Sequence, residues 1–385
     1  MEECAVILRK SCSKPQELKL VIAGGGTGGH CNPAIAIIEE LSSISPLRVL
    51  WIGTGREAEL RAIRDIGCDH KVLHVKPIQG VSPLSKLHAL LTLPKPIFSA
   101  ASYLLRFKPD IVLGVGSYVS GPVIVAAWML GIQCAIQEQN VVPGTANRLA
   151  SKFAKKIFVT FEDTIRYFPA HKCIVTGNPI RRRLLAVRSS VLQRFNNPPV
   201  LLIVGGSQGS REVNKKGAQA VVDLWEQGLQ VKVIHQTGND DYDFVVDAYN
   251  KALSKGFTEE DMFEVYPYID RMEDVYSKAD LVLCRAGAST IAELTAIGLP
   301  SILIPFPHSA GRHQELNAEL LVKRGAAIMT DSGPLKLSNI IKDVIFNPER
   351  LKTMAQAALE LGRRDAARTI ARELLEMGRK SEVTV

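Results

Sequence analysis

The glycine-rich stretch LVIAGGGTGGHCNPAIAI, residues 20–37, constrains the fold of this chain more than any other segment. An apolar run leads into it, five glycines surround one threonine, and Pro33 precedes a second apolar run. Proline is tolerated in the first turn of a helix, so the segment predicts a strand, a tight turn and a helix. The glycines let a ligand approach the backbone, and the N–H groups of such a turn attract anions.

His30 follows these glycines at the start of the predicted helix. A dinucleotide-binding turn has no need of an imidazole at this position. A transferase or a hydrolase can use one as a general base. The alternative is that His30 is a helix-start residue that binds a phosphate group of the substrate.

Continuous apolar runs recur along the chain, and several of them are followed by glycine and a helical pattern. Such runs predict a parallel sheet that is buried on both faces. The segment PPVLLIVGGSQGSREVNKKGAQAV, from Pro198, repeats the order of apolar strand, glycine turn and helix. The predicted fold class is therefore α/β, with two Rossmann-like, doubly wound parallel-sheet domains that face each other across a cleft. The predicted strands are Leu20–Ala23, Val49–Ile52, Ile111–Val115, Cys134–Ile136, Ile157–Thr160, Cys173–Thr176, Val200–Val204, Val231–His235, Phe263–Val265, Leu281–Cys284 and Ser301–Ile304.

The expected organisation is a loose extension at 1–17, a first Rossmann-like domain at 18–184 and a linker at 185–198. A second Rossmann-like domain follows at 199–350, and helices at 351–385 are expected to pack back on the first domain. The first residues place acids before a short apolar run. They make a poor signal peptide and are too short to span a bilayer.

The formal net charge is +8. A basic balance favours an anionic partner, such as nucleic acid, an acidic membrane face or a phosphorylated substrate, although many enzymes are mildly basic for no single reason. The seven cysteines are dispersed and form no CxxC pair. That pattern favours a reducing compartment over a disulfide framework or a zinc site.

The second half of the chain carries groups suited to a nucleotide. Ser207 lies in the second glycine turn, where a diphosphate fits a helix N-terminus. Glu293, on the helix after Cys284, can accept hydrogen bonds from both ribose hydroxyls. Gln314 and Asn317 are three residues apart, so their amides share a helix face and can read sugar hydroxyls. The alternatives are a capping serine, a glutamate that favours the helix dipole and an ordinary polar helix surface.

Two further polar segments follow predicted strand ends. QEQNVVPGTANRLAS, residues 137–151, places amides and a carboxylate at the sheet edge that faces a ligand. TGNPIRRR, residues 176–183, ends in arginines suited either to phosphate or to a solvated linker. We reject the acid-rich NDDYD, residues 239–243, as a metal site, because such short patterns recur by chance and can simply begin a helix.

The segment 75–110 is apolar, carries several basic residues and has no acid before Asp110. Such a surface can rest on an anionic bilayer. The alternative is a buried crossover helix whose lysine side chains extend to solvent.

The order of the motifs GGTGGH, EQN, GNPIR, GGSQGS, HQTG, GAST with its glutamate, and HQELNA resembles that of the MurG family. These bacterial enzymes transfer N-acetylglucosamine from UDP-N-acetylglucosamine to undecaprenyl-pyrophosphoryl-N-acetylmuramoyl pentapeptide. The resemblance covers roughly residues 18–370. It implies a GT-B fold and an inverting transfer to the 4-hydroxyl that needs no metal and no cofactor. It also implies a peripheral protein on the anionic cytoplasmic face of the inner membrane, with no nucleic acid partner.

The resemblance also implies roles for individual residues. In the first domain, the donor is expected to meet the acceptor at Thr27, Gly28 and Gly29. Our own candidate for the base that deprotonates the acceptor hydroxyl is His30, which follows them. The residues expected to contact the donor are Asn140, Arg181, Ser207 at the diphosphate, Ile269 at uracil, Ala288, Ser289, Thr290, Ile291, Ala292, Glu293 at the ribose, and Gln314 and Asn317 at the sugar hydroxyls.

The chain departs from the family at Gln137, where the family usually has a histidine before EQN. If that histidine assists catalysis, this chain must act without it, or Gln137 serves only in hydrogen bonding. The competing functions are a UDP-N-acetylglucosamine 2-epimerase or a glycolipid glycosyltransferase on the same fold, a NAD-dependent dehydrogenase and a non-catalytic nucleotide-binding protein. Against the dehydrogenase, GGGTGGH lacks the spaced G-x-G-x-x-G, and the strand at Val49–Ile52 runs into Gly53 rather than an acid.

Overall fold

The computed structural model describes residues 17–380 except for 27, 76–93, 188–191, 193–194, 207–208 and 332. The strands are β1 Leu18–Ala23, β2 Leu47–Gly53, β3 Asp69–Val72, β4 Ile111–Gly114, β5 Gln133–Glu138, β6 Lys156–Val159, β7 Cys173–Val175, β8 Val200–Val204, β9 Lys232–Gln236, β10 Phe263–Tyr266, β11 Leu281–Cys284, β12 Ser301–Leu303 and β13 Ala327–Met329. The helices are α1 Gly28–Ile44, α2 Glu57–Ile63, α3 Pro94–Phe107, α4 Ser120–Met129, α5 Thr145–Ala150, α6 Arg182–Leu185, α7 Arg211–Glu226, α8 Tyr242–Ser254, α9 Met272–Tyr276, α10 Ala288–Ile297, α11 His313–Lys323, α12 Pro334–Ile345, α13 Pro348–Leu361 and α14 Ala366–Lys380.

The first sheet has seven strands in the order β3-β2-β1-β4-β5-β6-β7, all parallel. Its central strand β1 is buried on both faces. Leu20 and Ile22 pack with α1 and α14 on one face, while Val21 and Ala23 pack with α3 and α4 on the other. Strands that lack a solvent-facing side have continuous apolar sequences, which is the pattern expected of a parallel sheet covered by helices.

The second sheet has six parallel strands in the order β10-β9-β8-β11-β12-β13. Its strand β8 is the counterpart of β1, since Leu201 and Ile203 face one core and Leu202 and Val204 face the other. Both halves therefore have the doubly wound, Rossmann-like architecture that the sequence predicts.

The last helices divide between the two halves. Helix α13 packs against α10 in the second half, through Ala358. Helix α14 packs against α1 in the first half, through Ile370 and Leu374. The chain therefore crosses back between Leu361 and Ala366. The domain boundaries predicted from the sequence stay a prediction.

The sequence analysis missed two edge strands, β3 and β13. Strand β3 alternates between exposed and half-buried residues, and β13 is only three residues long. Strand β3 therefore lacks the continuous apolar run by which the other strands were identified, and the apolar run of β13 is very short.

Two sequence predictions fall partly outside the described residues: the extension at 1–17, of which only residue 17 is described, and the basic apolar segment 75–110, whose residues 76–93 are not described. Across the described ranges, no helix combines the length and the apolar character that crossing a membrane requires.

Candidate functional site

A polar cleft of about 850 Å³ lies where the carboxyl ends of both sheets face each other. In open α/β sheets, ligands bind at this edge. The residues predicted from the sequence that line the cleft are Gly28, Gly29, His30 and Asn140 from the first sheet's side, and Ile269, Ala288, Ser289, Thr290, Glu293 and Gln314 from the second. Ile291 and Ala292 instead pack in the core beneath α10. Thr27 and Ser207 lie outside the described residues.

The first glycine turn has a backbone that only glycine adopts easily. Gly24 has φ +142°, and a Cβ there would lie 2.5 Å from the carbonyl oxygen of Gly116. The turn is held by Glu59, a fully buried residue of α2 that the sequence analysis missed. Its Oε2 accepts hydrogen bonds from Gly26 N at 2.9 Å, Thr54 N at 3.0 Å and Thr54 Oγ1 at 2.7 Å. The acid-rich start of the short segment EAEL was the only local signal for it.

His30 occupies the first turn of α1 and lines the cleft. Burial lowers the pKa of the imidazole from 6.5, with a further lowering from His313, while the Val115 carbonyl and the Gln139 side chain act in the opposite direction. A histidine with a lowered pKa is neutral at neutral pH, which is the state a general base requires.

The segment 137–140 forms a buried polar cluster at the end of β5. Glu138 accepts hydrogen bonds from Asn140 N at 3.0 Å, Gly144 N at 3.2 Å and Asn147 Nδ2 at 2.9 Å. Burial is the largest effect on its carboxyl group and raises its pKa, although these donors lower it. Glu138 therefore shapes the loop that presents Asn140 to the cleft.

The second glycine turn is closely packed against the strand beside it. A Cβ on Gly209, which has φ +80°, would lie 2.2 Å from the carbonyl oxygen of Thr237. Gln236, from the HQTG motif, joins this turn to the segment that carries Ile269. Its Nε2 donates to Gly206 O at 3.0 Å, and its Oε1 accepts from Ile269 N at 3.0 Å. The motif was visible in the sequence, but the role of Gln236 was not.

Glu293 lies on α10 and faces the cleft from the second domain. Tyr276 Oη donates to its Oε2 at 3.0 Å. Burial raises the pKa of Glu293 to about 7, and Tyr276, Arg181 and Arg183 partly offset that effect. The carboxyl group is therefore poised between its two protonation states near neutral pH.

The arginines at 181–183 form ion pairs with both halves of the molecule, and Arg183 Nε lies 3.3 Å from Glu273 Oε2 in the second half. Arg181 Nε donates to Glu39 Oε1 at 3.0 Å, and Arg182 makes a bidentate pair with Glu40 at 2.5 and 3.0 Å. Both glutamates belong to α1. Arg181 is thus absent from the cleft lining in this structure.

The two amides of α11 have different surroundings. Gln314 lines the cleft, and its Oε1 accepts from Phe306 N at 2.9 Å. Asn317 is fully buried. It accepts from Val141 N at 3.4 Å and donates to Ala286 O at 3.3 Å, so it joins the first half to the second.

Arg285, directly after β11, is a cleft residue that the sequence analysis missed. Its guanidinium donates to Ile304 O and Pro305 O at 3.0 Å and to Glu212 Oε2 at 3.0 Å. The group is therefore held rigidly, and it brings a positive charge to the wall that also carries the second glycine turn.

A second cavity of about 580 Å³ adjoins the cleft and shares His30, Asn140 and His313 with it. Its wall is largely apolar and is formed by Ile97, Tyr118, Pro122, Val125, Val142, Leu149 and Phe153. His30 therefore stands between a polar cleft and an apolar chamber.

No group of three or more potential metal ligands occurs among the described residues. Asp241, from the rejected NDDYD segment, is buried and accepts a hydrogen bond from Asn214 Nδ2 at 2.9 Å.

Two Rossmann-like domains that face each other across a cleft, with His30 on one wall and Glu293 on the other, have the architecture of the GT-B glycosyltransferases. The glycosyltransferase family 28 N-terminal domain model matches residues 20–159, and the corresponding C-terminal domain model matches residues 200–370. The chain belongs to glycosyltransferase family 28 and, within it, to the MurG family.

The relatives support this placement over nearly the whole chain. The UDP-N-acetylglucosamine–N-acetylmuramyl-(pentapeptide) pyrophosphoryl-undecaprenol N-acetylglucosamine transferase of Myxococcus xanthus is 42% identical, with 92% of this chain and 91% of the relative covered. The enzyme of the same name from Geobacter sulfurreducens is 40% identical, with 95% and 100% covered.

Solved structures agree with the fold. The crystal structure of Acinetobacter baumannii MurG is 29% identical with a TM-score of 0.72, covering 93% of this chain and 99% of that one. A UDP-GlcNAc 2-epimerase from Neisseria meningitidis has a TM-score of 0.65 at 18% identity, covering 94% and 100%. The second likeness shows only that the fold is shared.

Proposed function

We propose that this chain transfers N-acetylglucosamine from UDP-N-acetylglucosamine to the 4-hydroxyl of undecaprenyl-pyrophosphoryl-N-acetylmuramoyl pentapeptide, a step of peptidoglycan synthesis. Membership of the family and relatives about 40% identical over most of the chain support this activity. The structural observation that carries it is the single cleft that His30 and Glu293 line from opposite domains.

On the donor side, the proposal assigns the diphosphate to the second glycine turn and Ser207, and uracil to the surface around Ile269. Glu293 accepts hydrogen bonds from the ribose hydroxyls, while Gln314 forms hydrogen bonds with the hydroxyls of the N-acetylglucosamine. Asn140 approaches the sugar from the other wall, and Ala288, Ser289 and Thr290 line the nucleotide side.

Three residues that the sequence predicted to contact the donor substrate act indirectly in this proposal. Ile291 and Ala292 support α10 from its core side, and Asn317 holds α11 against the first domain. Arg181 reaches the diphosphate only after its pair with Glu39 opens, so its direct role depends on a rearrangement of that contact.

On the acceptor side, the proposal assigns the pyrophosphate to the first glycine turn with Thr27, Gly28 and Gly29, and an apolar part of the acceptor to the adjoining chamber. His30 removes the proton of the acceptor hydroxyl. The hydroxyl oxygen then bonds to the anomeric carbon from the face opposite the diphosphate. UDP leaves with the electron pair of the broken carbon–oxygen bond, so the configuration is inverted.

The test is UDP release from the purified protein with UDP-N-acetylglucosamine and a lipid-linked muramoyl acceptor. We expect release that requires both substrates and is unchanged by EDTA, since the family resemblance implies a metal-independent transfer. Isomerisation of the UDP-sugar without the acceptor would instead indicate an epimerase, and UDP-sugar binding without turnover would indicate a non-catalytic protein.

The proposal also places the protein peripherally on the cytoplasmic face of the inner membrane. Large apolar side chains that are 56–68% exposed lie on the neighbouring helices α3, α4 and α5. We call this set the apolar patch: Phe98, Leu105, Trp128, Met129 and Leu149. Exposed basic residues flank it, namely Lys95, Arg106, Arg148 and Lys152. Such a combination suits an anionic bilayer surface.

We expect the double substitution Phe98→Ser with Leu105→Ser to reduce binding to anionic phospholipid vesicles about 10-fold or more, because each buried apolar side chain contributes ~1.5–3 kcal/mol. Co-sedimentation with anionic and with neutral vesicles measures the effect. Phe244→Ser, which removes an exposed aromatic residue of the second domain, is the matched control. Equal binding by all the variants would remove the patch from the proposal.

A further inference from the structure

Gln139 lies beside His30, and the orientation of its side-chain amide is fixed by chemistry. Its Nε2 lies 2.8 Å from the carbonyl oxygen of Val115. A carbonyl oxygen can only accept a hydrogen bond, so the group that faces it must be the NH₂ of Gln139. The carbonyl oxygen of the same amide, Oε1, must therefore point elsewhere.

A relay of side chains reinforces this orientation. Gln139 Nε2 also donates to Gln137 Oε1 at 2.5 Å, and Gln137 Nε2 donates to Asn178 Oδ1 at 3.0 Å. Asn178 Nδ2 donates to Ser289 Oγ at 3.4 Å, and Ser289 Oγ donates to Gly29 O at 3.1 Å. Every donor points the same way along the relay, so reversing one amide would set donor against donor at the next contact.

The relay also joins the two domains, because Ser289 lies in the first turn of the helix that carries Glu293, and Gly29 belongs to the first glycine turn. Gln137, Gln139 and Asn178 are buried. The relay therefore adds a contact with the second domain to the orientation that the Val115 carbonyl sets.

Gln139 Oε1 and His30 Nδ1 remain at the end of the relay. Both atoms are buried, and neither completes a hydrogen bond of normal geometry among the described residues. They lie against the same glycine. A Cβ on Gly116 would be 2.8 Å from His30 Nδ1 and 3.7 Å from Gln139 Oε1. The Val115 carbonyl and the Gln139 side chain are the two groups whose hydrogen bonding raises the pKa of the ring, and the oxygen that each can offer is an acceptor.

We propose that Gln139 is a positioning residue that holds His30 in the tautomer with the proton on Nδ1. Nε2 then carries the lone pair that accepts the proton of the acceptor hydroxyl. The hydrogen bond made by one ring nitrogen decides which nitrogen is protonated. The proposal rests on the proposed function, in which His30 is the base.

The relay also accounts for Gln137 at the position where the family usually has a histidine. The position needs one acceptor for Gln139 and one donor for Asn178. Glutamine supplies both, and a neutral imidazole also has one of each. We therefore expect Gln137→His to keep kcat within about threefold of the wild type. Gln137→Leu, which has neither group, is expected to lower kcat, but by less than Gln139→Leu does, because the contact of Gln139 with Val115 remains.

The main test is Gln139→Leu, with Gln139→Met as a second variant in case leucine impairs folding. We expect kcat to fall about 10- to 100-fold, part of the 10²–10⁴ that a general base contributes, while the KM for UDP-N-acetylglucosamine stays close to that of the wild type. Gln133→Leu, at the start of the strand that Gln139 directly follows, removes only a contact with Lys155 at the surface and is the matched control.

The decisive measurement is the tautomer of His30 in protein labelled with ¹⁵N-histidine, with its signals assigned by their loss in His30→Ala. We expect the Nδ1–H form in the wild type and in Gln133→Leu, and a larger share of the Nε2–H form in Gln139→Leu, where the Val115 carbonyl is the remaining acceptor beside the ring. An Nε2–H form in the wild type, or a reduced kcat with an unchanged tautomer, would overturn the proposal. A wild type without acceptor-dependent UDP release would refute the proposed function instead, and the tautomer would still be measurable.

Discussion

Replacing His30 with alanine is expected to lower kcat for acceptor-dependent UDP release by about 10²- to 10⁴-fold, the usual contribution of a general base. The acceptor hydroxyl is a poor nucleophile until its proton is removed. His30 is the histidine of the first glycine turn, and its lowered pKa keeps the ring neutral and able to accept that proton at neutral pH. The measurement is the initial rate at saturating concentrations of both substrates.

The same experiment separates the two roles that the sequence left open for His30. A base affects kcat and leaves substrate affinities nearly unchanged, whereas a ligand of the acceptor phosphate raises the acceptor KM with little change in kcat. His171→Ala is the control, since His171 is exposed on the short 3₁₀-helix Ala170–Lys172. Near wild-type kcat in His30→Ala would remove the base assignment.

Replacing Glu293 with alanine is expected to weaken UDP binding about 10- to 100-fold, equivalent to ~1.4–2.7 kcal/mol. The carboxylate is positioned on the nucleotide wall of the cleft, where it can accept hydrogen bonds from both ribose hydroxyls, and hydrogen bonds to charged groups are stronger than neutral ones. Isothermal titration with UDP measures the change. An unchanged affinity would exclude the ribose contact.

The affinity should also depend on pH because burial raises the pKa of Glu293 to about 7. Below that pH the carboxyl group is protonated, and binding through a carboxylate must first release the proton. The affinity for the nucleoside is therefore highest above about pH 7 and falls about tenfold per pH unit below it. Uridine is the ligand to use, since it lacks the diphosphate, whose own titration would mask the effect.

Two variants check this assignment. Glu293→Gln has no carboxyl proton, so its uridine affinity should stay constant between about pH 5 and about pH 7. Tyr276→Phe removes a hydrogen bond that lowers the pKa of Glu293, so the affinity should begin to fall at a higher pH than in the wild type. A wild-type affinity that is independent of pH would contradict the proposed contact.

Much of the fold could be predicted because its signal is local. The runs that form β1, β8 and β11 are continuously apolar, and each strand is covered on both faces. The two glycine turns were likewise predicted. Their signal is visible in the sequence because close backbone contacts at Gly24 and Gly209 leave no room for a Cβ, so these positions require glycine. Strand β3 was missed because it has no continuous apolar run, and β13 was missed because its apolar run is only 3 residues long.

The site was harder to predict because its contacts join distant parts of the chain. Glu59 holds a glycine 33 positions away, at Gly26. Arg181 pairs with Glu39 across 142 positions, and Asn317 bonds Val141 across 176. No local pattern indicates that Arg181 pairs with Glu39 of α1, or that the amide of Asn317 bonds the first domain.

The sequence by itself determined the alternation of strands and helices, the two glycine turns and the sheet edge at which His30 and Glu293 lie. These follow from hydrophobic periodicity and from backbone conformations that only glycine adopts easily, and both depend on neighbouring residues. Only the tertiary structure decided which polar groups face the cleft and which form hydrogen bonds or ion pairs inside the protein. That division depends on how the two domains pack, since a buried polar group must find its hydrogen-bond partner wherever the fold places one.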